Sequence, residues 1–234
     1  MPDKHLSTQF DADLNAINTK LLQMGGLVEA QIATAMKALS EFDASLADQV
    51  VVREQQINAL EIEIDADCGN IIARRQPTAR DLRLVMAISK TITNLERAGD
   101  EAEKIAKRTK HIMEETGAHA INYSEVKLAG ELAVALLRQS LDAFARLDTV
   151  AAARIVKEDK AIDDEFRAFV RKLITYMMED PRIISVALDF LFIAKAVERI
   201  GDHAKNIAEF IIYIVKGTDV RHTSREDMEK EALS

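Results

Sequence analysis

Chain breakers are scarce. Eight glycines and three prolines in 234 residues are about 5% of the chain, against about 12% in average usage. That argues against a sandwich or a loop-rich fold. Tryptophan is absent and aromatics are 5% of residues, which leaves no platform for stacking bases. A single cysteine, Cys68, cannot form an internal disulfide, which fits a reducing compartment. Its expected place is a small apolar core position. Long apolar runs are missing. The longest uncharged one, Phe210 to Val215, is far short of the roughly 20 residues that a membrane span needs. Met1 to Asn15 holds no apolar stretch of signal-peptide type, so no leader is expected. Positive charge is in deficit: 31 Lys and Arg against 39 Asp and Glu give a net charge of −8. That balance disfavours nucleic acid and anionic membrane as partners. What remains, 48% hydrophobic and 30% charged residues, is the composition of a soluble globular chain. Its length suffices to bury roughly 70% of its unfolded surface.

Between the few breakers, apolar residues recur at three and four. The stripe Leu82, Val85, Ile88, Ile92, Leu95, Gly99, Ala102, Ile105 and the stripe Ile193, Val197, Gly201, Ala204, Ile207, Ile211, Ile214 are both helical seams. The spacing predicts an all-α chain with six long helices near 7–41, 44–75, 78–116, 124–146, 149–179 and 182–216. Pro77 and Pro181 stand where helices can begin, and Gly117 and Gly217 where helices can end. Ser7, Ser124 and Asp148 are candidate N-caps. Residues 218–234 form a polar tail with room for one helical turn.

The chain also repeats itself. Glu96-Arg97-Ala98-Gly99-Asp100-Glu101-Ala102-Glu103-Lys104-Ile105-Ala106 recurs 102 positions later as Glu198-Arg199-Ile200-Gly201-Asp202-His203-Ala204-Lys205-Asn206-Ile207-Ala208, with seven of eleven positions identical. Each copy lies on a helix opened by a proline and preceded by two other helices. A duplicated three-helix unit accounts for this, with bundles at 7–116 and 118–217 and a polar tail at 218–234.

Acidic residues sit where apolar ones are expected. Glu54 and Glu61 interrupt the seam Val50, Ile57, Ile64, Cys68, Ile71 of the second helix. Asp159 and Asp163 interrupt the seam Val156, Phe166, Val170, Leu173, Met177 of the fifth. Glu96/Asp100 and Glu198/Asp202 flank the other two seams, four residues apart on one face. Unpaired buried carboxylates are costly or become neutral, so something positive is expected beside them. One candidate is a metal ion, since carboxylates on facing bundle helices hold iron or manganese and oxygen donors suit Mg²⁺. The other is an ion-pair network drawing on Arg97, Arg199, Lys90, Lys195 and Lys160. Changes at Glu198 or Asp202 are expected to matter more than changes at exposed charges such as Glu226. Gly99 and Gly201, inside helices, serve close helix packing or leave room for an ion beside the backbone.

The repeated Glu-Arg-x-Gly-Asp-x-x-x-x-Ile-Ala resembles the signature of the PhoU family, accessory regulators of phosphate-specific transport. Arg75-Gln76-Pro77-Thr78-Ala79-Arg80-Asp81-Leu82-Arg83, Met24-Gly25-Gly26-Leu27-Val28-Glu29 and Glu158-Asp159-Lys160 are similar to that family too. Tyr176-Met177-Met178-Glu179-Asp180 and Val215-Lys216-Gly217 resemble its enterobacterial members. The resemblance covers nearly the whole chain. It implies two three-helix bundles, a homodimer, and a cytoplasmic, non-enzymatic negative regulator of the phosphate-starvation response, held at the membrane only through its partners. The implied partners are the sensor histidine kinase PhoR and the transporter ATPase PstB. Some members carry multinuclear metal clusters, one per bundle, and carboxylates alone accept Fe, Mn, Mg or Zn. The resemblance maps their ligands onto Glu54, Asn58, Glu96 and Asp100 in the first half, and Asp159, Asp163, Glu198 and Asp202 in the second. Asn58 stands where the second half has Asp163, so weaker metal binding is expected in the first half. Two other functions compete. One is a metal-dependent enzyme using the paired carboxylates, for which no nucleophile or phosphate-cradling loop is present. The other is a phosphotransfer bundle with His203 as carrier.

Overall fold

The computed structural model describes residues 8–115, 121–221 and 223–233. Among these the chain forms seven α-helices and no strand: α1 (Thr8–Glu41), α2 (Ala44–Arg75), α3 (Ala79–Glu114), α4 (Ser124–Arg146), α5 (Thr149–Glu179), α6 (Ile184–Lys216) and α7 (Arg225–Leu233). The predicted Ser7 cap and Gly117 stop lie outside the described residues.

The helix ends follow local chemistry. The Asp43 carboxylate accepts from the N–H groups of Ser45 and Leu46 and so opens α2. That cap escaped the sequence reading. Asp148 opens α5 as expected, accepting from Ala151 N at 2.9 Å. Ser124 is not a cap. It is the first residue of α4, its N–H donates to Asn122 Oδ1, and its hydroxyl donates to Glu125. Asn122 has taken the turn that Ser124 was expected to make. Pro181 opens a short 3₁₀ turn, Pro181–Ile183, that leads into α6. Gly217 ends α6 in the left-handed region, φ 82°, with its N–H on Tyr213 O. The tail makes more than the single turn expected. The nine-residue α7 buries Met228 and Ala232, and Thr149 Oγ1 donates to Ala232 O.

Helices α1, α2 and α3 pack on one another as one three-helix bundle, and α4, α5 and α6 as a second. The bundles are joined chiefly by α3 against α6, and also by α1 against α4. One continuous apolar cluster runs through both. The α3–α6 pair is antiparallel: Arg83 Nε reaches Ile214 O, and Arg108 at the other end of α3 reaches Asp189. The α1–α4 contact is reciprocal. A Cβ on Gly25 would meet the Leu141 side chain, and one on Gly130 would meet Met36. Gly25 and Gly130 are 105 residues apart, as are Met36 and Leu141, so each bundle's glycine receives the other's bulky side chain.

The expected seams hold with two corrections. Leu82 is 38% exposed although the rest of its stripe on α3 is buried. It lies in the first turn of α3. On α5 the buried residues are Ala152, Ile155, Val156, Asp159, Ile162, Phe169 and Leu173, whereas Asp163, Phe166, Val170 and Met177 of the expected seam are half-buried. Because α5 packs against both α4 and α6, its buried arc is wider than one stripe and is centred elsewhere. Cys68 is buried, and loss of hydration, then Asp65 and Asp67, push its thiol up to about 12.

Candidate functional site

The first acidic cluster forms where α2 meets α1 and α3. Its only deeply buried member is Glu54. Gln31 of α1 donates to Glu54 Oε2 and also to the backbone carbonyl of Gly99, at 3.2 Å. Gly99 makes this possible. A Cβ there would stand 3.0 Å from Glu54 Oε2, so the missing side chain is the space that the carboxylate occupies. The Glu54 carboxyl is pushed up to about 7, by loss of hydration first and also by Asp100, Glu103 and Glu96, against the Gln31 hydrogen bond. Glu54 Oε1 has no hydrogen-bond partner. Glu96 is also raised, by partial burial first and then by Asp100 and Glu61. Glu61 is half-buried, while Asn58 points to solvent.

The second cluster repeats the plan with a different counter-group. Asp159, 105 residues after Glu54, is the deeply buried carboxylate. A Cβ on Gly201 would meet Asp159 Oδ1 at 3.0 Å and Ile162 Cδ1 at 2.8 Å. Here the neighbour is Lys205, whose Nζ lies 3.6 Å from Asp159 Oδ2. Loss of hydration raises the Asp159 carboxyl to about 6; Lys205 opposes this and Asp202 and Asp163 add to it. Asp163 lies 3.8 Å from Arg167, Glu198 is held by Lys195 at 2.6 Å, and the Asp202 side chain is 47% exposed.

Of the expected ion-pair partners, Lys195 does meet an acid of the repeat, Glu198, and the others distribute differently. Lys160 serves Asp164, Arg199 serves Glu101 at 3.0 Å, and Lys90 lies over the Phe210 and Tyr213 rings. Lys205, which meets the buried Asp159, is not among them. Its place in the repeat is taken by Glu103 in the first half, so the repeat gave no reason to single it out.

The donors available to a metal are carboxylate oxygens, which suit a hard cation. The first cluster also offers the unpartnered Glu54 Oε1. In the second, Lys205 already supplies positive charge. Among the described residues, no three His, Cys, Asp or Glu side chains converge as a ligand set.

Three further polar groups escaped sequence reasoning or had another role in it. His203 is buried in the α3–α6 seam. Asn94 Oδ1 accepts from Asn206, and the Asn94 amide donates to Lys90 O, so the proton on His203 Nδ1 points to Asn94. Burial, then Arg199, Arg97 and Lys104, bring its imidazole down to about 4. A neutral ring so placed is poorly suited to carry a phosphoryl group between proteins. Asp189, also buried, takes Arg108 at 2.8 Å and His111 at 2.6 Å across the same seam. Glu209 lines a cleft of about 320 Å³ with Lys205, Asn206, Arg221 and Met228. Burial pushes its carboxyl up to about 7 against Lys205 and Arg221. A lone acid inside an apolar run was the signal, and it falls outside the repeated motif.

The PhoU domain model matches residues 21–109 and 126–211. A Burkholderia protein named "Phosphate-specific transport system accessory protein PhoU homolog" is 57% identical, with both chains covered completely. The "Phosphate-specific transport system accessory protein PhoU" of Escherichia coli (strain K12) is 46% identical over 97% of this chain and 94% of its own. Among solved structures, PhoU from Pseudomonas aeruginosa superposes with a TM-score of 0.86 at 47% identity, covering 89% of this chain and 100% of that one. The phosphate transport system regulatory protein PhoU from Streptococcus pneumoniae does so with a TM-score of 0.83 at 27% identity, over 90% and 99%. With the family model matched in both halves and relatives alike along their whole length, this chain belongs to the PhoU family.

Proposed function

We propose that the protein is a cytoplasmic, non-enzymatic negative regulator of the phosphate-starvation response. It couples the phosphate ABC transporter to the sensor histidine kinase through protein–protein contacts. PstB and PhoR are its partners, and a homodimer is its working form. When phosphate is plentiful it helps hold the kinase in its phosphatase or inactive mode. The observation that carries this reading is the full-length likeness to proteins named as accessory to phosphate transport. Two features of the chain agree with it. No helix among the described residues is long and apolar enough to cross a membrane. The net charge of −8 disfavours DNA, so an effect on transcription passes through another protein. A phosphate-responsive alkaline phosphatase reporter in phosphate-rich medium tests this. Loss of the protein should switch the reporter on, and resupply should silence it. A reporter that stays silent in both strains contradicts the proposal. Phosphate is sensed by the transporter in this scheme, so metal-free protein should show no calorimetric phosphate binding.

A second proposal concerns the acidic clusters. The unpartnered Glu54 Oε1, with no lysine beside it, favours a cation at the first cluster over the second, which reverses the expectation drawn from Asn58. Glu54 would offer Oε1, and Glu96 and Asp100, which do not converge with it in this structure, would have to move in on binding; bound Fe, Mn, Mg or Zn would supply positive charge to a site that lacks it. Elemental analysis of wild type and Glu54→Gln decides this: metal lost in the variant supports it, and metal near zero in both contradicts it.

A further inference from the structure

Most exposed surface of an acidic chain should be acidic. One stripe of α6 is not. Ile184, Leu188, Phe192, Lys195 and Arg199 follow one another at steps of four, four, three and four, so they lie on one face of the helix. All five are exposed: Ile184 and Leu188 at 41%, Phe192 at 51%, and the two cations near half. The stripe is about 22 Å long, or four helical turns. Helix α3 runs beside it and adds positive charge. The Arg108 guanidinium stacks 4.6 Å from the Phe192 ring centre, and Lys104 joins Arg199 on Glu101.

The carboxylates that answer these cations lie beneath them. Glu101 and Asp189 are buried under Lys104, Arg199 and Arg108, and Glu198, under Lys195, is 14% exposed at its side chain. What reaches solvent is therefore apolar carbon flanked by positive charge. The two apolar residues nearest the start of α6 have counterparts on α3, since Leu82 and Met86 precede Ile184 and Leu188 by 102 residues and are also exposed. Phe192 has Lys90 as its counterpart, so only the α6 face carries an exposed aromatic ring.

We propose that this α3–α6 face is a docking surface for an acidic amphipathic helix of a partner protein, with Phe192 as its anchor. Charge complementarity selects the occupant. The partner's carboxylates meet Arg108, Lys195 and Arg199, and its apolar side chains cover Leu188 and Phe192. A helix matches the length and straightness of the stripe. Nucleic acid and anionic membrane also seek positive charge, but the rest of a chain at −8 repels both. The proposal rests on the chain being a partner-binding regulator.

The test uses the full chain and a fluorescent 18-residue helical peptide of about this length, Glu-rich on one face and Leu-bearing on the other. Anisotropy should report saturable binding that weakens as NaCl is raised. Phe192→Ser and, separately, Lys195→Glu should each weaken it about tenfold. Met178→Ser, at an exposed apolar residue on α5, should leave it unchanged; circular dichroism confirms that each variant folds. A Lys-for-Glu peptide should not bind. The proposal is overturned if the acidic peptide fails to bind or binds all variants alike. It is equally overturned if Phe192→Ser abolishes only vesicle binding (3:1 phosphatidylcholine to phosphatidylglycerol), or instead converts a dimer to a monomer. The peptide assay reads the surface alone, whereas the reporter reads regulation, so the two can fail separately.

Discussion

Glu54 and Asp159 occupy equivalent positions in the two bundles, each beside an in-helix glycine whose missing Cβ leaves room for its carboxylate. The group that answers the carboxylate differs. In the first bundle it is the Gln31 amide, from α1. In the second it is the Lys205 ammonium, from α6. Neither solution is available to the other half, because Leu136 stands at the counterpart of Gln31 and Glu103 at the counterpart of Lys205. A duplicated unit has thus kept a buried acid and its glycine while changing how the acid is satisfied. Glu54, with an amide and a nearby Glu103, is held higher than Asp159, with a cation. Burial is the leading cause at both, and a Glu starts from 4.5 where an Asp starts from 3.8, so the two acids are raised by similar amounts while the counter-groups differ in charge.

This contrast can be perturbed from either side. The largest effect should come from Lys205→Met, which leaves Asp159 without its cation. At pH 7.5 it should cost about 2 kcal/mol in denaturant unfolding, reduced from the usual figure for a broken buried pair because Lys205 is partly exposed. At pH 5 the cost should shrink, since Asp159, titrating near 6, is then protonated and needs no partner. Next, Gln31→Leu copies the second bundle's residue into the first without its lysine. It should cost about 1–2 kcal/mol at pH 8 and less at pH 6. Glu103→Lys, by contrast, brings the second bundle's cation to the first cluster. It should stabilise the protein by about 0.5–1 kcal/mol and lower the Glu54 titration, despite losing the Glu103–Lys107 pair. The smallest effect belongs to Asp202→Ala and Glu226→Ala, each within about 0.5 kcal/mol. That places Asp202 with the exposed charges and moves the sequence-based expectation for it onto Asp159.

The pH dependence has a definite sign. Glu54 titrates higher when folded than when unfolded, so the folded state binds more protons between about pH 4.5 and 7. Its contribution to stability is most favourable at the acid end of that window and declines as pH rises. His203 works the other way. Held neutral to about pH 4, it costs stability as pH falls below its unfolded value of about 6.5. The two offset each other in wild type. Glu54→Gln, compared with wild type in chelator, should therefore gain relative stability as pH is raised from 5 to 8.

Much of this was legible before any coordinates. The six long helices, the duplication and the presence of Glu54 and Asp159 at core positions follow from period and repeat, which a long amphipathic helix displays openly, whereas the short α7 of the tail does not. The partners of those acids were not legible. Gln31 looks like an ordinary polar residue of α1, and Lys205 lies one residue off its seam, so neither periodicity nor repetition marks it. The α3–α6 seam was hidden for the same reason. Asn94, His203 and Asp189 become a polar interface only when two long helices are laid antiparallel, and a local pattern carries no information about that pairing. Leu82 fits the α3 stripe by spacing alone, and only the packed helices show that it is exposed.

The most direct measurement is a carboxyl-carbon NMR titration of metal-free protein, with Glu54 and Asp159 assigned by Glu54→Gln and Asp159→Asn. Glu54 is expected to titrate near 7 and Asp159 near 6, and Lys205→Met should raise Asp159 while leaving Glu54 in place. If both groups titrate near 4, or if Lys205→Met moves neither, then the carboxylates are solvated and the two bundles do not differ as described.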